Sequence, residues 1–553
     1  MGSSSRATSH YASSRASSSS YIYPHALGDP TSAQGAVQND PDFSPFGGYP
    51  VSSFPLHIDE KEADDYMHNP DPILDAKENA KWTWLDARGF TSLVALSTMV
   101  LGAIAVFIIL PVLTFTGHAG VPHQSKPIDD SLTSYKYGIL KGIRTSLVDP
   151  DTPASAMTRK NKDGQTMNLV FSDEFNKEGR TFYEQEDQFW QAIDLNYAAT
   201  NDLEWYDPDA VTTANGTLVL RLDAFKNHNL DYRSGMLQSW NKLCFKGGAL
   251  EVSASLPGRG DKPGLWPGIW TMGNLGRPGY LATTEGVWPY AYNECDVGIT
   301  PNQSSTDGIS FLPGQKLSSC TCNGEDHPNP GTGRGAPEID ALEGANGDLN
   351  ATYKVGLASQ SLQVAPYDIW YMPNYDFIAI HNVTTTAMNT YRGGPFQQAV
   401  SGITTLNNEW YDRTYFQKYG FEYEPGTESG YIEWEVGDER TYILYGQAIG
   451  ENGNIGARQI SEEPMSIILN LGLSNSWTYI DWPTIEFPRM MYIDYVRIYQ
   501  LEGSEILTCD PEGYPTTEYI SNHSAAYSNY NYTSWSAAGY DFPKNTLMHG
   551  CSM

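Results

Sequence analysis

Between residues 91 and 115 the chain carries no charged side chain: TSLVALSTMVLGAIAVFIILPVLTF. As a helix rising 1.5 Å per residue, these residues span about 37 Å, enough to cross a hydrocarbon core of roughly 30 Å with some tilt. A core helix of a soluble domain keeps a polar stripe, and this segment has none. It starts about 90 residues into the chain and is longer than the apolar region of a cleavable signal peptide. The expectation is therefore an uncleaved signal anchor over 89–117, which separates two regions that must fold, or fail to fold, independently.

The flanks set its orientation. Lys77, Lys81 and Arg88 precede the apolar run, and the first basic residue after it is Lys126. The positive-inside rule places the N-terminus in the cytosol and residues 118 onward in the lumen or outside. Two further features share that sidedness. Asn-x-Ser/Thr acceptors occur at Asn215, Asn302, Asn350, Asn382, Asn522 and Asn531, all after the run. The cysteines Cys244, Cys295, Cys320, Cys322, Cys509 and Cys551 lie there too, an even set suited to an oxidising compartment. Cys320 and Cys322 have metal-like spacing, but no second Cys/His pair accompanies them. Six cysteines allow fifteen pairings. The expected pairing is that Cys509 pins the tail through Cys551.

Charge excludes whole classes of partner. With 34 Lys+Arg against 65 Asp+Glu, the 553 residues carry a net -31. Nucleic-acid binding needs clustered cations, so it is not expected, and neither is docking on anionic membrane surfaces. Residues 1–88 hold 6 basic and 12 acidic residues and open on SSSRATSHYASSRASSSS, a low-complexity stretch expected to be a disordered cytosolic tail. Residues 118–165 read as a polar luminal stalk. From 166 to 502 the texture changes. Runs such as GTLVLRLDA, GALEVSASL, GYIEWEVGD, MSIILNLGL and MMYIDYVRIYQ alternate or stay apolar between Gly, Pro, Asn and Asp. Together they predict one large β-sandwich. Residues 503–553 are a Tyr/Ser/Asn-rich C-terminal tail.

The segment EIDALE at 338–343 is the one that points to chemistry. On a strand, Glu338 and Asp340 share a face, and Glu343 falls on the other. One extra residue, a β-bulge between Asp340 and Glu343, returns it to the first face. Three acids then line one groove. Retaining glycoside hydrolysis needs two carboxyl groups about 5–5.5 Å apart, one nucleophilic and one protonated. A third acid between them crowds the charge and helps keep a proton on the site. The competing reading is a solvated acidic strand. Trp266 and Trp270 in WPGIW share a strand face nearby, offering flat surfaces for the C–H faces of sugars, although core packing also uses tryptophan.

Taken in order, several motifs resemble glycoside hydrolase family 16, a group of concanavalin-A-like jelly rolls. They are FSDEFN at 171–176, GTLVLRL at 216–222, RSGMLQS at 233–239, FKGGALEVSASLP at 245–257 and LWPGIWTMG at 265–273. EIDALE, FQKYGFEY at 416–423 and IDYVRIYQ at 493–500 complete the series. The resemblance implies an all-β jelly-roll sandwich with Glu338 as nucleophile, Asp340 as assisting acid and Glu343 as general acid/base. Trp266, Trp270, Glu422 and Gln417 would bind substrate, Gln417 standing where many relatives have His. Pro337 replaces a common Gly, and Ser359-Gln360-Ser361 replaces a strand that often carries His. No cofactor is implied; a structural Ca²⁺ with Asp494 as one ligand is the single metal candidate.

The whole chain is similar to the fungal β-glucan-synthesis-associated proteins. The carrying residues are DDYMHNPDP at 64–72, DLEWYDPDAVTT at 202–213, SSCTCNG at 318–324 and SQSLQVAPY at 359–367. That resemblance implies a single-pass type II protein of the secretory-pathway membrane. It would act on β-glucan as a retaining glycosidase or transglycosidase in cell-wall β-1,6-glucan synthesis. The alternatives are a non-catalytic glucan-binding or scaffolding protein on the same sandwich, and a secretory-pathway glycoprotein-folding factor.

Overall fold

The computed structural model describes residues 72–79, 87–109, 112, 144, 146–303, 310–349 and 352–553. Of the expected tail over 1–88, residues 1–71 and 80–86 lie outside the described residues, Pro72–Asn79 is helical and 87–88 begin the next helix; most of the stalk, 118–143, also lies outside them. Two units are distinct, residues up to Pro127 and residues from Ile128 onward. In the first, a helix spans Ala87–Ile104 and continues as a π-helical turn, Ala105–Ile109. Its stretch Phe90–Ile109 is long and apolar enough to cross a membrane, with a mean hydropathy of 2.5. Its apolar side chains are exposed, which suits a helix solvated by lipid and not one packed in a soluble core.

In the second unit the described strands form a nine-stranded and a twelve-stranded sheet, almost wholly antiparallel. The exception is Glu204–Tyr206, which runs parallel to Leu230–Ser234. The nine-stranded sheet has Glu338–Asp348 near its middle, between Lys354–Val364 and Trp266–Gly273. Met465–Gly472 follows on one side and Gln398–Thr405 on the other. The twelve-stranded sheet centres on Gly248–Ser255, flanked by Gln417–Glu424 and Arg489–Leu501. Alternation along each strand sends one set of side chains between the sheets. Leu250, Val252, Phe421, Tyr423, Ile432 and Trp434 from one meet Ile269, Ile339, Leu362 and Leu469 from the other. This is the layered β-sandwich the strand pattern predicts.

The sandwich reaches beyond both expected boundaries. Thr158–Lys160 pairs with Thr166–Asp173, so the sheet starts inside the stretch read as stalk. Buried Thr152 donates to Glu174 Oε1 at 2.8 Å, fixing the approach to it. Residues 503–553 are not a loose tail. Their Tyr519, Ile520, Tyr527 and Trp535 fill a second core on the outer face of the nine-stranded sheet, against Trp270, Met272, Leu275 and Ile468. Polarity hid this in the sequence: tyrosine supplies the apolar area while its hydroxyl finds a partner, as Tyr527 does by donating to Leu275 O at 2.6 Å.

The disulfides correct the expected pairing. Cys509 is bonded to Cys244 and Cys551 to Cys322, while Cys295 pairs with Cys320. The tail is thus anchored to the sandwich at both of its ends instead of being closed on itself. The acceptor residues Asn215, Asn302, Asn522 and Asn531 are exposed, Asn382 is half-buried and Asn350 lies outside the described residues.

A buried ion pair fixes the entry to the central strand. Arg334 donates to Glu463 through Nε at 2.8 Å and Nη2 at 2.7 Å, and Nη1 donates to Pro515 O of the tail at 2.9 Å. The Gly335 N–H donates to the same carboxylate at 3.0 Å, two residues before the strand-preceding Pro337. Removing the guanidinium leaves a carboxylate buried without a cation. Arg334→Leu is expected to lower unfolding free energy by about 3–5 kcal/mol, read by chemical denaturation at neutral pH.

Candidate active site

The bulge is present in the central strand. Against Lys354–Val364, Asp340 pairs with Ser361 and Glu343 with Ser359, so two residues of one strand, Ala341 and Leu342, face one of its neighbour, Gln360, between those points. The partner on the other side shows the same slip, with Trp270 opposite Asp340 and Ile269 opposite Leu342. Ile339, Ala341 and Leu342 all face the core. Glu338, Asp340 and Glu343 consequently emerge on the outer face together. A bulge disrupts the ladder, and its polar groups need other partners. Here Trp434 of the opposite sheet donates from Nε1 through the core to Asp340 O at 2.8 Å. Trp434 is itself stacked on Tyr442 at 4.4 Å, and Tyr442 OH donates to Gln360 O at 2.7 Å.

Indoles surround the acids. Trp288 donates from Nε1 to Glu338 Oε2 at 2.7 Å. Trp266 stacks on Trp477 at 4.8 Å with the planes 5° apart, on the strand that pairs beside Glu343. Trp477 in turn donates to Gly344 O at 2.8 Å. Trp270 does not face the acids with its N–H: it donates to Asn470 Oδ1 at 2.8 Å. Asn470 donates to Tyr206 OH at 3.1 Å, and Tyr206 donates to Asp202 Oδ2 at 3.1 Å. Gly268 lies opposite Asn470, and a Cβ there would collide with the amide oxygen that receives Trp270. On the other flank Ser359, Ser361 and Ser401 form a hydroxyl row, with 3.1 Å and 2.9 Å between successive oxygens.

Burial dominates the electrostatics. It pushes Glu338 up to about 7, opposed by the hydrogen bonds from Trp288 and Asp340. Burial also pushes Glu343 up to about 8, with the charge of Glu338 adding to the rise and Trp266 opposing it. Asp340 is raised well above its ordinary range by burial and then by the charges on both glutamates. No Lys, Arg or His contributes to any of these shifts. Such a set titrates as a unit and holds protons at neutral pH.

The structure brings together Glu338, Asp340, Glu343, Trp266 and Trp270, and leaves two expected residues elsewhere. Glu422 sits in the twelve-stranded sheet between core-facing Phe421 and Tyr423, so it points to that sheet's outer face, away from the acids. It accepts from Lys162 N at 2.7 Å and Tyr431 OH at 3.0 Å, and faces Arg159 at 3.5 Å. Gln417 begins the same strand, where its Oε1 accepts the Lys418 N–H at 2.8 Å. Neither reaches the cleft. Alternation already implies this for Glu422, since its neighbours are the strand's apolar residues. Sequence reasoning missed Trp288, Trp477, Asn470, Tyr206 and Asp202, which come from other strands and loops and carry no local pattern that ties them to the acids.

The calcium candidate does not fit. Asp494 accepts from Ser253 Oγ at 3.4 Å, and burial followed by the charge of Glu174 raises its carboxyl. Glu174 is committed to Arg497, which donates to its two oxygens at 2.9 and 2.8 Å. Among the described residues no group of three or more His, Cys, Asp or Glu side chains is placed to hold a metal ion.

With this geometry in place, comparison with known proteins is informative. A family profile described as "Beta-glucan synthesis-associated protein SKN1/KRE6/Sbg1" matches residues 54–551. The chain belongs to this family. The beta-glucan synthesis-associated protein KRE6 of Saccharomyces cerevisiae is 61% identical over 521 residues, covering 92% of this chain and 72% of the relative. SKN1 of Candida albicans is 59% identical over 524 residues, covering 93% of this chain and 70% of the relative. Among solved structures, the catalytic domain of an endo-1,3-beta-glucanase (laminarinase) from Thermotoga petrophila is 20% identical with a TM-score of 0.36. It covers 61% of this chain and 99% of its own. An endo-beta-1,3-glucanase from Pyrococcus furiosus gives 19% and 0.36, covering 63% and 98%. At such scores the account of the architecture rests on the two sheets described above.

The site generates two expectations. Trp434→Phe keeps the ring but removes the donor to Asp340 O, so it is expected to cost about 1–3 kcal/mol of stability, read by denaturant unfolding. The second concerns pH. A folded-state carboxyl raised from about 4.5 to about 8 binds more protons folded than unfolded, so its contribution falls as pH rises through that window. Glu343→Gln removes the cost of ionisation. Its melting temperature is expected to gain on the parent's between pH about 4.5 and about 8, and the gain levels off above.

Proposed function

We propose that the chain is a membrane-anchored, retaining β-glucan glycosidase or transglycosidase that acts in cell-wall β-1,6-glucan synthesis. The observation that carries this reading is the bulge, which aims buried Asp340 and half-buried Glu338 and Glu343 at one tryptophan-walled surface. Family membership narrows the substrate to β-glucan. Glu338 is the nucleophile. The Trp288 N–H at 2.7 Å and the hydrogen bond with Asp340 hold its carboxylate in place as charge is consumed. Glu343, whose burial keeps its proton near neutral pH, is the acid/base.

In the first step a Glu338 oxygen bonds to the anomeric carbon while the glycosidic C–O bond breaks, and the Glu343 proton passes to the departing oxygen. In the second, water or an acceptor sugar hydroxyl gives its proton to Glu343 as its oxygen displaces Glu338. Two inversions leave the anomeric configuration as it began. The Ser359–Ser361–Ser401 row and the Trp266–Trp477 stack lie on opposite flanks of these acids and are the surfaces for the sugars. The same reading makes the chain a single-pass type II protein, with the Phe90–Ile109 helix in a secretory-pathway membrane and the disulfide-bonded sandwich luminal.

The test uses purified full-length protein with defined β-1,3- and β-1,6-gluco-oligosaccharides and product mass spectrometry. Glu338→Gln is expected to abolish turnover of every substrate. Glu343→Gln is expected to lose about 10²–10⁴-fold on sugar leaving groups and much less on aryl glycosides, which leave without a proton. The parent rate is expected to decline as pH passes about 8. Unchanged turnover in both variants would point to the non-catalytic, glucan-binding reading instead.

A further inference from the structure

One group of exposed aromatic rings outside the cleft is contiguous with it. The loop 389–397 joins Thr386–Met388 to Gln398–Thr405 at the edge of the nine-stranded sheet. It carries Tyr391 and Phe396, which are 56% and 51% exposed. Phe396 meets Phe311, 62% exposed, edge to face with centroids 5.8 Å apart. The Phe311 N–H donates to Pro395 O at 2.7 Å, so the two rings are fixed by backbone. Trp370, 66% exposed, belongs to the adjoining segment, which Tyr371 OH ties to the loop by donating to Gly394 O at 2.8 Å. Soluble surfaces scatter such rings singly; four exposed rings on neighbouring segments joined by hydrogen bonds mark a binding surface.

Its position relative to the acids identifies the occupant. The loop starts against the serine row, where the Asn389 N–H donates to Ser401 O at 2.8 Å, two residues before Tyr391. From Glu343 the face runs across Ser359, Ser361 and Ser401 to the loop, because those serines sit on the next two strands toward that edge. The loop bearing Tyr391 and Phe396 therefore adjoins the sheet edge beside the serine row. Arg392, whose Nε donates to Tyr375 OH at 3.3 Å, is the charged side chain of loop 389–397, and the chain's net charge of -31 disfavours an anionic surface as partner. An uncharged chain with flat C–H faces and many hydroxyls matches both the rings and the serine row.

We propose that Phe311, Trp370, Tyr391 and Phe396 form a platform that holds a β-glucan chain several sugar units away from the acids, on the serine side of the cleft. The proposal rests on the reading of the cleft as a glucan site and adds where the rest of the chain lies. A remote platform makes affinity depend on chain length, which a cleft alone does not beyond its own span.

The experiment measures binding to full-length Glu338→Gln protein, so that substrate survives, using linear β-1,6- and β-1,3-gluco-oligosaccharides of about three and about eight units. The triple variant Phe311→Ala/Trp370→Ala/Phe396→Ala is expected to bind the longer oligosaccharide about tenfold more weakly, about 1.4 kcal/mol, and the shorter one unchanged. Trp370→Phe/Phe396→Tyr keeps flat rings and is expected to retain the tight binding. An equal loss for both lengths, no loss for either, or loss in the ring-preserving variant overturns the platform while leaving the cleft intact. In the no-loss case the rings fall to a protein partner. No binding of any oligosaccharide overturns the platform and the cleft reading together.

Discussion

The bond from Trp434 Nε1 to Asp340 O is the interaction on which the rest of the site depends. A strand that obeys strict alternation cannot put residues 338, 340 and 343 on one face. Inserting the extra residue solves that problem and creates another, because a carbonyl at the bulge loses its place in the ladder and lies in an apolar core. The opposite sheet answers with an indole N–H, a donor that needs no acceptor of its own and brings a large apolar body with it. Around it Tyr442 OH reaches Gln360 O, and Thr404 and Thr441 hydroxyls reach Gln360 Oε1 at 3.0 and 2.8 Å. The sandwich core is thus stitched by a few satisfied polar contacts next to the acids. These contacts set the register of the central strand more tightly than apolar packing alone.

A second constraint comes from outside the sheet. Trp288 must be rigid to position Glu338, yet it sits on a loop. It packs against the aromatic cluster that the C-terminal segment builds with the nine-stranded sheet. That segment is anchored by Cys244–Cys509 before its aromatics and by Cys322–Cys551 after them. Arg334 links its Pro515 carbonyl to Glu463 and to the approach of the central strand. The segment therefore buttresses the loop bearing Trp288, and cross-linking both ends limits the ways it can leave.

How far the sequence discloses this follows from the range of the interactions. The sandwich was legible because strand periodicity is a local signal, and the bulge was legible because E-x-D-x-x-E has one offset too many for alternation. The family was legible from motifs in fixed order. The disulfides were not: fifteen pairings are equivalent until the fold brings sulfurs together, and the adopted Cys509–Cys551 pair was wrong because the segment between them lies along the sheet instead of looping back. The misplacement of Glu422 had another cause. Resemblance suggested the cleft, while Phe421 and Tyr423 on either side already required the opposite face. Trp288 reaches Glu338 from 50 positions away, while Trp477 and Asn470 meet Gly344 and Trp270 across 133 and 200 positions, where no window in the sequence connects them.

The two sheets partner several of their carboxyls differently. On the twelve-stranded sheet, Glu435 and Glu422 gather around Arg159 at 2.8 and 3.5 Å, and Glu174 is held by Arg497. Arg440 and His381 do the same for Glu433 at 3.0 and 2.9 Å. A guanidinium fork binds a carboxylate through charge-assisted hydrogen bonds and holds it in one place as an ion pair. The acids of the nine-stranded sheet are met by indole and amide N–H groups and by one another. Neutral donors orient a carboxyl without fixing its charge, and mutual repulsion with burial keeps the last protons on. Asp202 and Glu204 are likewise raised by burial with no cation contributing, so among the described residues it is the lack of a cation together with a shared face on the bulged strand that sets Glu338, Asp340 and Glu343 apart.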